Sequence, residues 1–278
     1  MRHILKLRIQ AIIGALVKRH LGPRVSALIV ESHGNSFAVD PEDYAVGVGR
    51  ELRKAGTHGA GEIERLKPHL TSHSRALIVG AHVGTLAAPL SRLCKEVVAI
   101  EANPATYKLL TATLALNSIT NVLPINVAAS DKDEDIEFLL SRANSGASKR
   151  VPRIRKYMYY YDNPQKISVA AVCLDRYLEK RDFDVVVMDI EGSEYFALKG
   201  MPEILSRCKA LEVEFRPHHL RYVSAVTVEQ FLSVITPYFT KVTIPSRQIS
   251  VSSGVALSHL TDMFNRDQMD ENLIFEKD

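Results

Sequence analysis

One stretch of the sequence, residues 75–103, constrains the fold more than any other; it reads RALIVGAHVGTLAAPLSRLCKEVVAIEAN. Two short apolar runs within it, Ala76–Val79 and Val97–Ile100, are typical of strands that are buried on both faces of a parallel sheet. A glycine-bearing turn and a segment with helical spacing, Thr85–Leu93, separate the two runs. This strand–helix–strand order predicts half of a nucleotide-binding unit in an α/β fold.

The turn after the first strand reads Gly-Ala-His-Val-Gly-Thr and begins at Gly80. Glycine allows backbone N–H groups to approach a polar ligand closely. Glu101 ends the second apolar run, 21 positions after Gly80, where an acid can accept hydrogen bonds from ribose hydroxyls. NAD and S-adenosylmethionine are both compatible ligands. His82 replaces the middle glycine of the dinucleotide pattern, which argues against a bound pyrophosphate. An ordinary turn of an α/β domain is the alternative.

Basic charge is concentrated at the N-terminus. The formal net charge is +3, but residues 1–30 hold six Lys and Arg and no acid, which leaves 29 basic against 32 acidic side chains elsewhere. Because this remainder is mildly acidic, we expect no nucleic-acid partner. Residues 4–21 are apolar and basic, and their uninterrupted apolar run is too short to span a bilayer. This segment either packs on the domain as a helix or contacts an anionic membrane surface through residues 1–24.

Three cysteines without metal-binding spacing indicate buried free thiols in a reducing compartment. We therefore expect a cytoplasmic protein, with the inner face of the membrane as the alternative location. The sequence leaves the oligomeric state open. Composition divides the chain into a basic amphipathic N-terminal segment (1–25), a lead-in of hairpin and helices (26–72), a Rossmann-like domain (73–260) and a polar tail (261–278).

Residues 141–166 form an insert that differs from the rest of the domain. Six basic residues up to Lys156 are followed by four tyrosines. A solvated loop with an edge strand is one interpretation. The other is an acceptor-recognition insert, in which tyrosines stack on sugar or ring faces and arginines bind anionic groups. Interleaved basic and aromatic residues also suit single-stranded nucleic acid, although one short loop is little evidence for it. The substrate-binding candidates are Arg153, Tyr157, Tyr159 and, further along the chain, Glu194.

Carboxylates gather at the end of a second central strand, Asp184–Ile190. This run is apolar until Asp189, and Glu191 and Glu194 follow directly. In an open parallel sheet, ligands bind beyond the carboxyl ends of the strands. Carboxylates at such an edge repel one another unless they hold a cation, a proton or the donors of a ligand. Capping of the following helix is the alternative interpretation.

The next predicted strand, Leu211–Phe215, ends at the same edge of the sheet. Glu214 and His218 lie at or just beyond its end, where a histidine beside a carboxylate can serve acid–base chemistry. The strands after it, Tyr238–Ile244 and Gln248–Leu257, are predicted as a closing pair.

Together these motifs resemble the FkbM family of S-adenosylmethionine-dependent methyltransferases over residues 35–245. The matching pieces are V-G-A-H-V-G (79–84), I-E-A-N-P (100–104), N-V-L-P-I-N-V-A-A-S-D (121–131), S-G-A-S (145–148), L-D (174–175) and, most specifically, D-I-E-G-S-E (189–194). The resemblance implies an α/β fold with a Rossmann-like class I methyltransferase sheet. This sheet is mostly parallel with an antiparallel closing strand and carries an N-terminal helical and hairpin extension.

The resemblance also implies a function and a site. Family members O-methylate hydroxyls of sugars, polysaccharide ends and natural products, so a small-molecule or glycan acceptor is expected, with a divalent metal left open. The expected catalytic residues are Asp189, Glu191, Glu214 and His218. The expected cofactor-binding residues are Gly80, Ala81, His82, Gly84, Glu101, Ala102, Asn103, Asn126, Val127, Ala128 and Asp189.

Three positions depart from the family pattern, one of them Val187, which stands where the family has a lysine two positions before the strand-end aspartate. Ile78 stands where the family has an aspartate, and His82 stands where it has an asparagine. The missing acid removes a hydrogen-bond anchor for the methionine end of the cofactor, for which His82 can partly substitute. Two other functions therefore stay open: a degenerate, non-catalytic binding protein with a methyltransferase fold and an NAD-binding oxidoreductase.

Overall fold

The computed structural model describes residues 2–56, 59–179 and 181–277. Its strands are β1 (Leu28–Ser32), β2 (Asn35–Val39), β3 (Arg75–Val79), β4 (Glu96–Ile100), β5 (Val122–Ile125), β6 (Ala128–Ala129), β7 (Glu134–Leu140), β8 (Lys149–Arg150), β9 (Gln165–Val172), β10 (Val185–Met188), β11 (Ala210–Phe215), β12 (Lys241–Ile244), β13 (Ile249–Ser252) and β14 (Asp270–Glu276). Its α-helices are α1 (Arg2–Leu21), α2 (Val48–Ala55), α3 (Ala60–Leu66), α4 (Ala87–Leu90), α5 (Pro104–Leu116), α6 (Leu174–Tyr177), α7 (Glu194–Lys199), α8 (Pro202–Arg207), α9 (Val228–Ser233) and α10 (Ser253–Asn265).

Eight strands form the central sheet in the order β13-β12-β14-β11-β10-β3-β4-β5. The five strands from β11 to β5 are parallel, and β14 is inserted antiparallel between β11 and β12. Parallel strands require crossover connections, which helices on the two faces of the sheet supply. The predicted class I methyltransferase sheet, mostly parallel with an antiparallel closing strand, is confirmed.

The middle of this sheet is its most deeply buried part. Every residue of β10 is buried, and Leu77 and Ile78 on β3 are at most 1% exposed. Strands that are covered on both faces need apolar side chains on both, which explains the uninterrupted apolar runs in the sequence. The carboxyl ends of β3, β4, β10 and β11 therefore meet at one edge, as the sequence predicts.

A second sheet of four short strands, in the order β6-β9-β7-β8, lies beside this edge. The sequence predicts one strand over Val122–Ala128, but the chain leaves the central sheet after Ile125 and joins the second sheet at Ala128. The predicted helix over Thr85–Leu93 is also shorter, since α4 is a single turn. Pro89 lies inside this turn and has no backbone N–H to donate.

The structure differs most from the sequence analysis at the C-terminus. The segment described there as a polar tail completes α10 and supplies β14, which hydrogen-bonds β11 on one side and β12 on the other. Phe275 and Leu273 of this strand are fully buried. The apolar run that contains them is only three residues long and lies between polar and charged residues, so composition does not predict a strand here. The predicted closing strand Gln248–Leu257 ends at Ser252, where α10 begins.

The lead-in packs on the central domain. Strands β1 and β2 form the predicted hairpin, and the amide of Asn117 at the end of α5 bonds both the N–H and the C=O of Ser36. Helix α1 packs on the lead-in: Gln10 donates to the carbonyl of Ala45, and Gly14 lies against the carbonyl of Glu42. Within the described residues, no helix has the length and apolar character needed to cross a bilayer.

The burial of β14 makes a testable prediction. Replacing Phe275 by Ala should lower the free energy of unfolding by about 3–5 kcal/mol, because a fully buried ring leaves a cavity. Leu257→Ala on the outer face of α10 is the matched control, with an expected change within about 0.5 kcal/mol. Urea unfolding measures both. Equal, small effects would mean that residues 270–276 form a dispensable tail.

Candidate functional site

The site is built around a backbone contact between the ends of β3 and β10. Gly80 follows β3 with φ +93°, and a Cβ atom at this position would lie 1.9 Å from the carbonyl oxygen of Asp189. Only glycine fits such a position. The next polar residues of each turn, His82 (φ +48°) and Glu191 (φ +56°), also have left-handed backbones. Such conformations in non-glycine residues are uncommon and cluster at functional sites.

Glu101 holds the turn after β3 in place. One oxygen of its buried carboxylate accepts the backbone N–H of His82 at 2.8 Å, and the other accepts the N–H of Asn103 at 2.8 Å. Burial raises the pKa of Glu101 to about 7, although both hydrogen bonds oppose the shift. Each oxygen keeps a second lone pair, so the side chain can also accept hydroxyl donors from a ligand.

A cavity of about 630 Å³ opens beside Glu101 at the carboxyl ends of the strands. One wall is apolar and includes Val127, Ala128 and Phe138, whereas the opposite side holds backbone turns and carboxylates. The lining further includes Gly80, His82, Glu101, Ala102, Ser145, Gly146, Ser148, Arg150, Asp189 and Glu191.

A second, larger cavity of about 1300 Å³ adjoins the first. The two cavities share five lining residues, namely Gly80, His82, Gly146, Asp189 and Glu191. The second cavity is strongly acidic. Its carboxylates are Glu51, Glu62, Asp189, Glu191, Glu212 and Glu214, and Arg216 is the lining cation. Because Asp189 and Glu191 line both cavities, ligands bound in the two cavities would lie next to each other beside these residues.

A network of buried, charged side chains lies next to the boundary between the two cavities. Lys149 Nζ lies 2.7 Å from Glu191 Oε2, and His219 Nε2 lies 3.2 Å from the same oxygen. On its other side, His219 Nδ1 lies 3.2 Å from Glu214 Oε2, while Arg216 binds the remaining oxygen of Glu214. Buried charges need such partners, because unpaired ones are costly to desolvate.

The network gives different pKa values to the carboxyl groups of Asp189, Glu191 and Glu214. Burial, followed by repulsion from Glu214 and Glu191, raises the pKa of Asp189 well above its usual value. Asp189 is crowded by protein atoms yet exposed to solvent through the two cavities that it lines, and water there offsets part of this shift. Burial raises the pKa of Glu214 to about 8. Burial acts in the same sense on Glu191, but Lys149 and the His219 hydrogen bond outweigh it and hold this pKa well below the usual value.

These pKa values assign protons within the network. Burial and the charge of Lys149 lower the pKa of His219, which therefore stays neutral near pH 7. A protonated Glu214 can then donate to Nδ1 of His219, and Nε2–H of His219 can donate to ionised Glu191. This arrangement satisfies all three groups.

Asp189, Glu194 and Glu214 bring carboxylate oxygens within 4.8 Å of one another. Protein groups already bind two of the three. Glu194 Oε1 accepts the N–H groups of Ile190 and Gly192, and Glu214 is held by Arg216 and His219. We assign no metal to this cluster.

The structure places the expected cofactor residues around the two cavities. Gly80, Ala81, His82, Glu101, Ala102, Val127, Ala128 and Asp189 line one or both. The other three expected cofactor residues line neither cavity and instead hold the segments that do. Asn126 donates to the carbonyl of Glu101, Asn103 caps α5, and Gly84 lies against Leu110. The assignment of all these residues to cofactor binding stays a prediction.

The other expected residues are more dispersed. Asp189, Glu191 and Glu214 meet at the boundary between the cavities, whereas His218 bonds the hydroxyl of Tyr159 at 3.0 Å and lines neither cavity. Burial lowers the pKa of His218 to about 3. Of the substrate candidates, Tyr159 is buried, Arg153 and Tyr157 are exposed, and Glu194 caps its own turn. None of the four lines either cavity.

Sequence reasoning missed several residues of the site. The sequence pattern points to His218 and not to its neighbour His219, and it groups Lys149 with the basic residues of the insert. Ser145, Ser148 and Arg150 line the smaller cavity, so the first half of the insert forms a wall of the predicted cofactor site. A signal for Ser145 and Lys149 existed in the S-G-A-S motif, which Lys149 directly follows.

Comparison with known proteins agrees with this arrangement. The family model described as the methyltransferase FkbM domain matches residues 79–236, more than half of the chain. The chain belongs to the FkbM-domain methyltransferase family. The matched segment contains the Gly80 turn, Glu101, the insert and the D-I-E-G-S-E motif. No match is found among the curated proteins.

Solved structures share the fold of this FkbM-domain chain at low identity. The methyltransferase FkbM from Methylobacillus flagellatus is 16% identical with a TM-score of 0.45, over 74% of this chain and 44% of its own. The T. Thermophilus 16S rRNA methyltransferase RsmC, in complex with AdoMet and guanosine, is 16% identical with a TM-score of 0.44, over 91% and 50%. A complex of aTrm5 with tRNALeu is 16% identical with a TM-score of 0.39, over 70% and 42%. The chain spans about half the length of these proteins.

One expectation about partners is corrected. The sequence analysis excluded nucleic acid because the globular part is mildly acidic, yet the fold is shared with methyltransferases whose names include rRNA and with one in complex with tRNA. The exclusion of a nucleic-acid partner is therefore wrong, because a mildly acidic net charge does not decide whether a chain binds nucleic acid. Contact of residues 1–24 with a membrane, the other partner named there, is not shown.

The Gly80 contact makes a prediction about the site. Gly80→Ala should lower the free energy of unfolding by about 2–4 kcal/mol, because the added methyl group meets the Asp189 carbonyl and the left-handed backbone is strained. Gly254→Ala is the control, since an added Cβ atom would meet no other segment of the described chain within 4 Å, and it should be neutral or up to about 1 kcal/mol more stable. Urea unfolding compares them. A tolerated Gly80→Ala would contradict the close contact.

Proposed function

We propose that this chain transfers the methyl group of S-adenosylmethionine to a hydroxyl of a sugar, polysaccharide or natural product. The observation that carries the proposal is the pair of adjoining cavities, which share Asp189 and Glu191 at their boundary. A methyl donor in the smaller cavity and an acceptor in the larger would meet beside these two carboxylates. Methyl transfer requires such an approach, because the acceptor oxygen must lie in line with the reacting methyl group.

The smaller cavity suits the cofactor. Its apolar wall, with Val127 and Ala128, can pack on an adenine ring, and Glu101 can accept the ribose hydroxyls. The turn from Gly80 to Gly84 faces the remaining, methionine portion. When bound, S-adenosylmethionine supplies an electrophilic methyl group on a sulfonium. Glu191, which Lys149 and His219 keep ionised, places a negative charge beside that position.

Asp189 is the proposed general base. It lines both cavities, and its raised pKa makes the ionised form of this carboxyl a stronger base than an ordinary carboxylate. The hydroxyl proton would pass to Asp189 as the acceptor oxygen takes the methyl group and the methyl–sulfur bond breaks, which leaves S-adenosylhomocysteine. His219 positions the neighbouring Glu191 from behind the cavity wall, and Glu214, which lines the larger cavity, holds His219 on its other side.

The charge of the larger cavity supports a hydroxyl-bearing acceptor. Six carboxylates line it, and within the described residues one oxygen of Glu212 has no hydrogen-bond partner. Such a surface favours groups that donate hydrogen bonds and disfavours anionic groups at the reacting end. Neutral sugars and polyols meet both conditions.

Cofactor binding is the first test. Calorimetric titration with S-adenosylhomocysteine should give micromolar binding, and NAD should give none. Glu101→Ala should abolish the binding, because it removes both the ribose acceptor and the anchor of the His82 turn. Glu137→Ala, an exposed carboxylate on β7, is the matched control and should bind as the wild type does. No binding up to millimolar concentration would favour a degenerate scaffold, and binding of NAD alone would favour an oxidoreductase.

Catalysis is tested with a panel of acceptors. The panel contains neutral sugars, glycan ends, polyketide-type alcohols and RNA oligonucleotides, and release of S-adenosylhomocysteine is measured. With an accepted hydroxyl substrate, Asp189→Asn should lower kcat by about a hundredfold or more, since the base is lost. Glu137→Gln should leave kcat unchanged. Wild-type kcat in Asp189→Asn would remove Asp189 as base, and methylation of RNA alone would overturn the proposed acceptor class.

A further inference from the structure

A chain of hydrogen bonds joins the lead-in to the turn after β3. Asp43 lies in the short 3-10 helix Pro41–Tyr44 and is only 1% exposed. Its Oδ1 accepts the backbone N–H of Ser145 at 2.7 Å, and its Oδ2 contacts Ser145 Oγ at 2.5 Å. Ser145 Oγ in turn lies 2.7 Å from Nε2 of His82. Three segments that are distant in sequence thus meet through one hydroxyl group.

Both His82 and Ser145 line the smaller cavity, and Asp43 supports them from outside it. The packing around Asp43 is close. A Cβ atom on Gly49 would lie 3.0 Å from the Asp43 Cβ, and one on Gly47 would lie 2.2 Å from the Asn144 side chain. The lead-in is therefore fitted tightly against the start of the insert. Asp43 also lies outside the segment that the family model matches.

The Ser145 hydroxyl has a single hydrogen, and the group to which it donates decides the direction of the other hydrogen bonds that join Asp43 to His82. A serine hydroxyl donates once. When Asp43 is ionised, the hydroxyl must donate to Oδ2, so His82 has to donate from Nε2 to the serine oxygen. When residue 43 instead donates to the serine oxygen, the hydroxyl is free to donate to Nε2, and the histidine proton lies on Nδ1. The tautomer of His82 therefore depends on the group at position 43.

We propose that Asp43 is a positioning residue that, through the Ser145 hydroxyl, fixes the tautomer and orientation of His82 in the wall of the cofactor cavity. His82 has a left-handed backbone, and its N–H binds Glu101, so a fixed imidazole holds the whole turn against this carboxylate. The effect on cofactor affinity rests on the proposed function. The effect on the tautomer does not.

The test uses the full chain and imidazole nitrogen NMR without ligand, with the His82 signals assigned by their loss in His82→Gln. At a pH above the titration of Asp43, the wild type should carry the His82 proton on Nε2. Asp43→Asn places a donating amide against Ser145, and the proton should move to Nδ1. Asp40→Asn on the same segment is the matched control and should leave the tautomer unchanged, since Asn keeps the cap oxygen that accepts the N–H of Glu42.

Binding of S-adenosylhomocysteine is then measured by calorimetry. Asp43→Asn and Ser145→Ala should each weaken it about five- to tenfold, the effect of one lost positioning hydrogen bond, while Asp40→Asn should not. An unchanged tautomer in Asp43→Asn, or a changed tautomer with wild-type affinity, would overturn the proposal. If the wild type binds no S-adenosylhomocysteine, the proposed function fails and the tautomer result alone decides the role of Asp43. If Asp43→Asn does not fold, Asp43→Ala, which also frees the Ser145 hydroxyl to donate to Nε2 of His82, replaces it in both measurements.

Discussion

The contact between the backbones of Gly80 and Asp189 is the constraint on which the site depends. It brings the turns after β3 and β10 so close together that no side chain fits between them. Each turn then continues through a residue with a left-handed backbone, His82 in one and Glu191 in the other. The two turns therefore present their polar groups to the same space, and the two cavities meet there. The parallel pairing of β3 with β10 makes this possible, because their carboxyl ends lie at one edge.

Burial gives the carboxyl groups around this shared space different protonation states. Three carboxylates in water would titrate alike, but here Lys149 and His219 hold Glu191 ionised while Asp189 and Glu214 have raised pKa values. Groups with such divergent protonation can act separately, one as a fixed negative charge and one as a proton acceptor. Lys149 makes the largest contribution to the lowered pKa of Glu191. Lys149 reaches Glu191 from the small sheet that lies beside the central one.

The site also depends on segments far from it in sequence. The lead-in contributes Asp43 behind the smaller cavity and Glu51 and Glu62 to the larger one. Strand β14 completes the sheet next to β11, which carries Glu212 and Glu214. The ends of the chain therefore stabilise the walls of a cavity whose reactive groups lie in its middle. This explains why two segments of unremarkable composition are packed so closely against the domain.

The sequence by itself determined the parallel core, the glycine turn, Glu101 and the carboxylates after β10, because these features are local. Strand burial is visible as apolar runs, and a turn that excludes side chains requires glycine. Only the tertiary structure decided the rest. It selected His219 over His218, paired Lys149 with Glu191, joined Asp43 to His82 and inserted β14 into the sheet. Such contacts connect residues that are tens to hundreds of positions apart, and local composition carries no record of which distant group a polar side chain will meet.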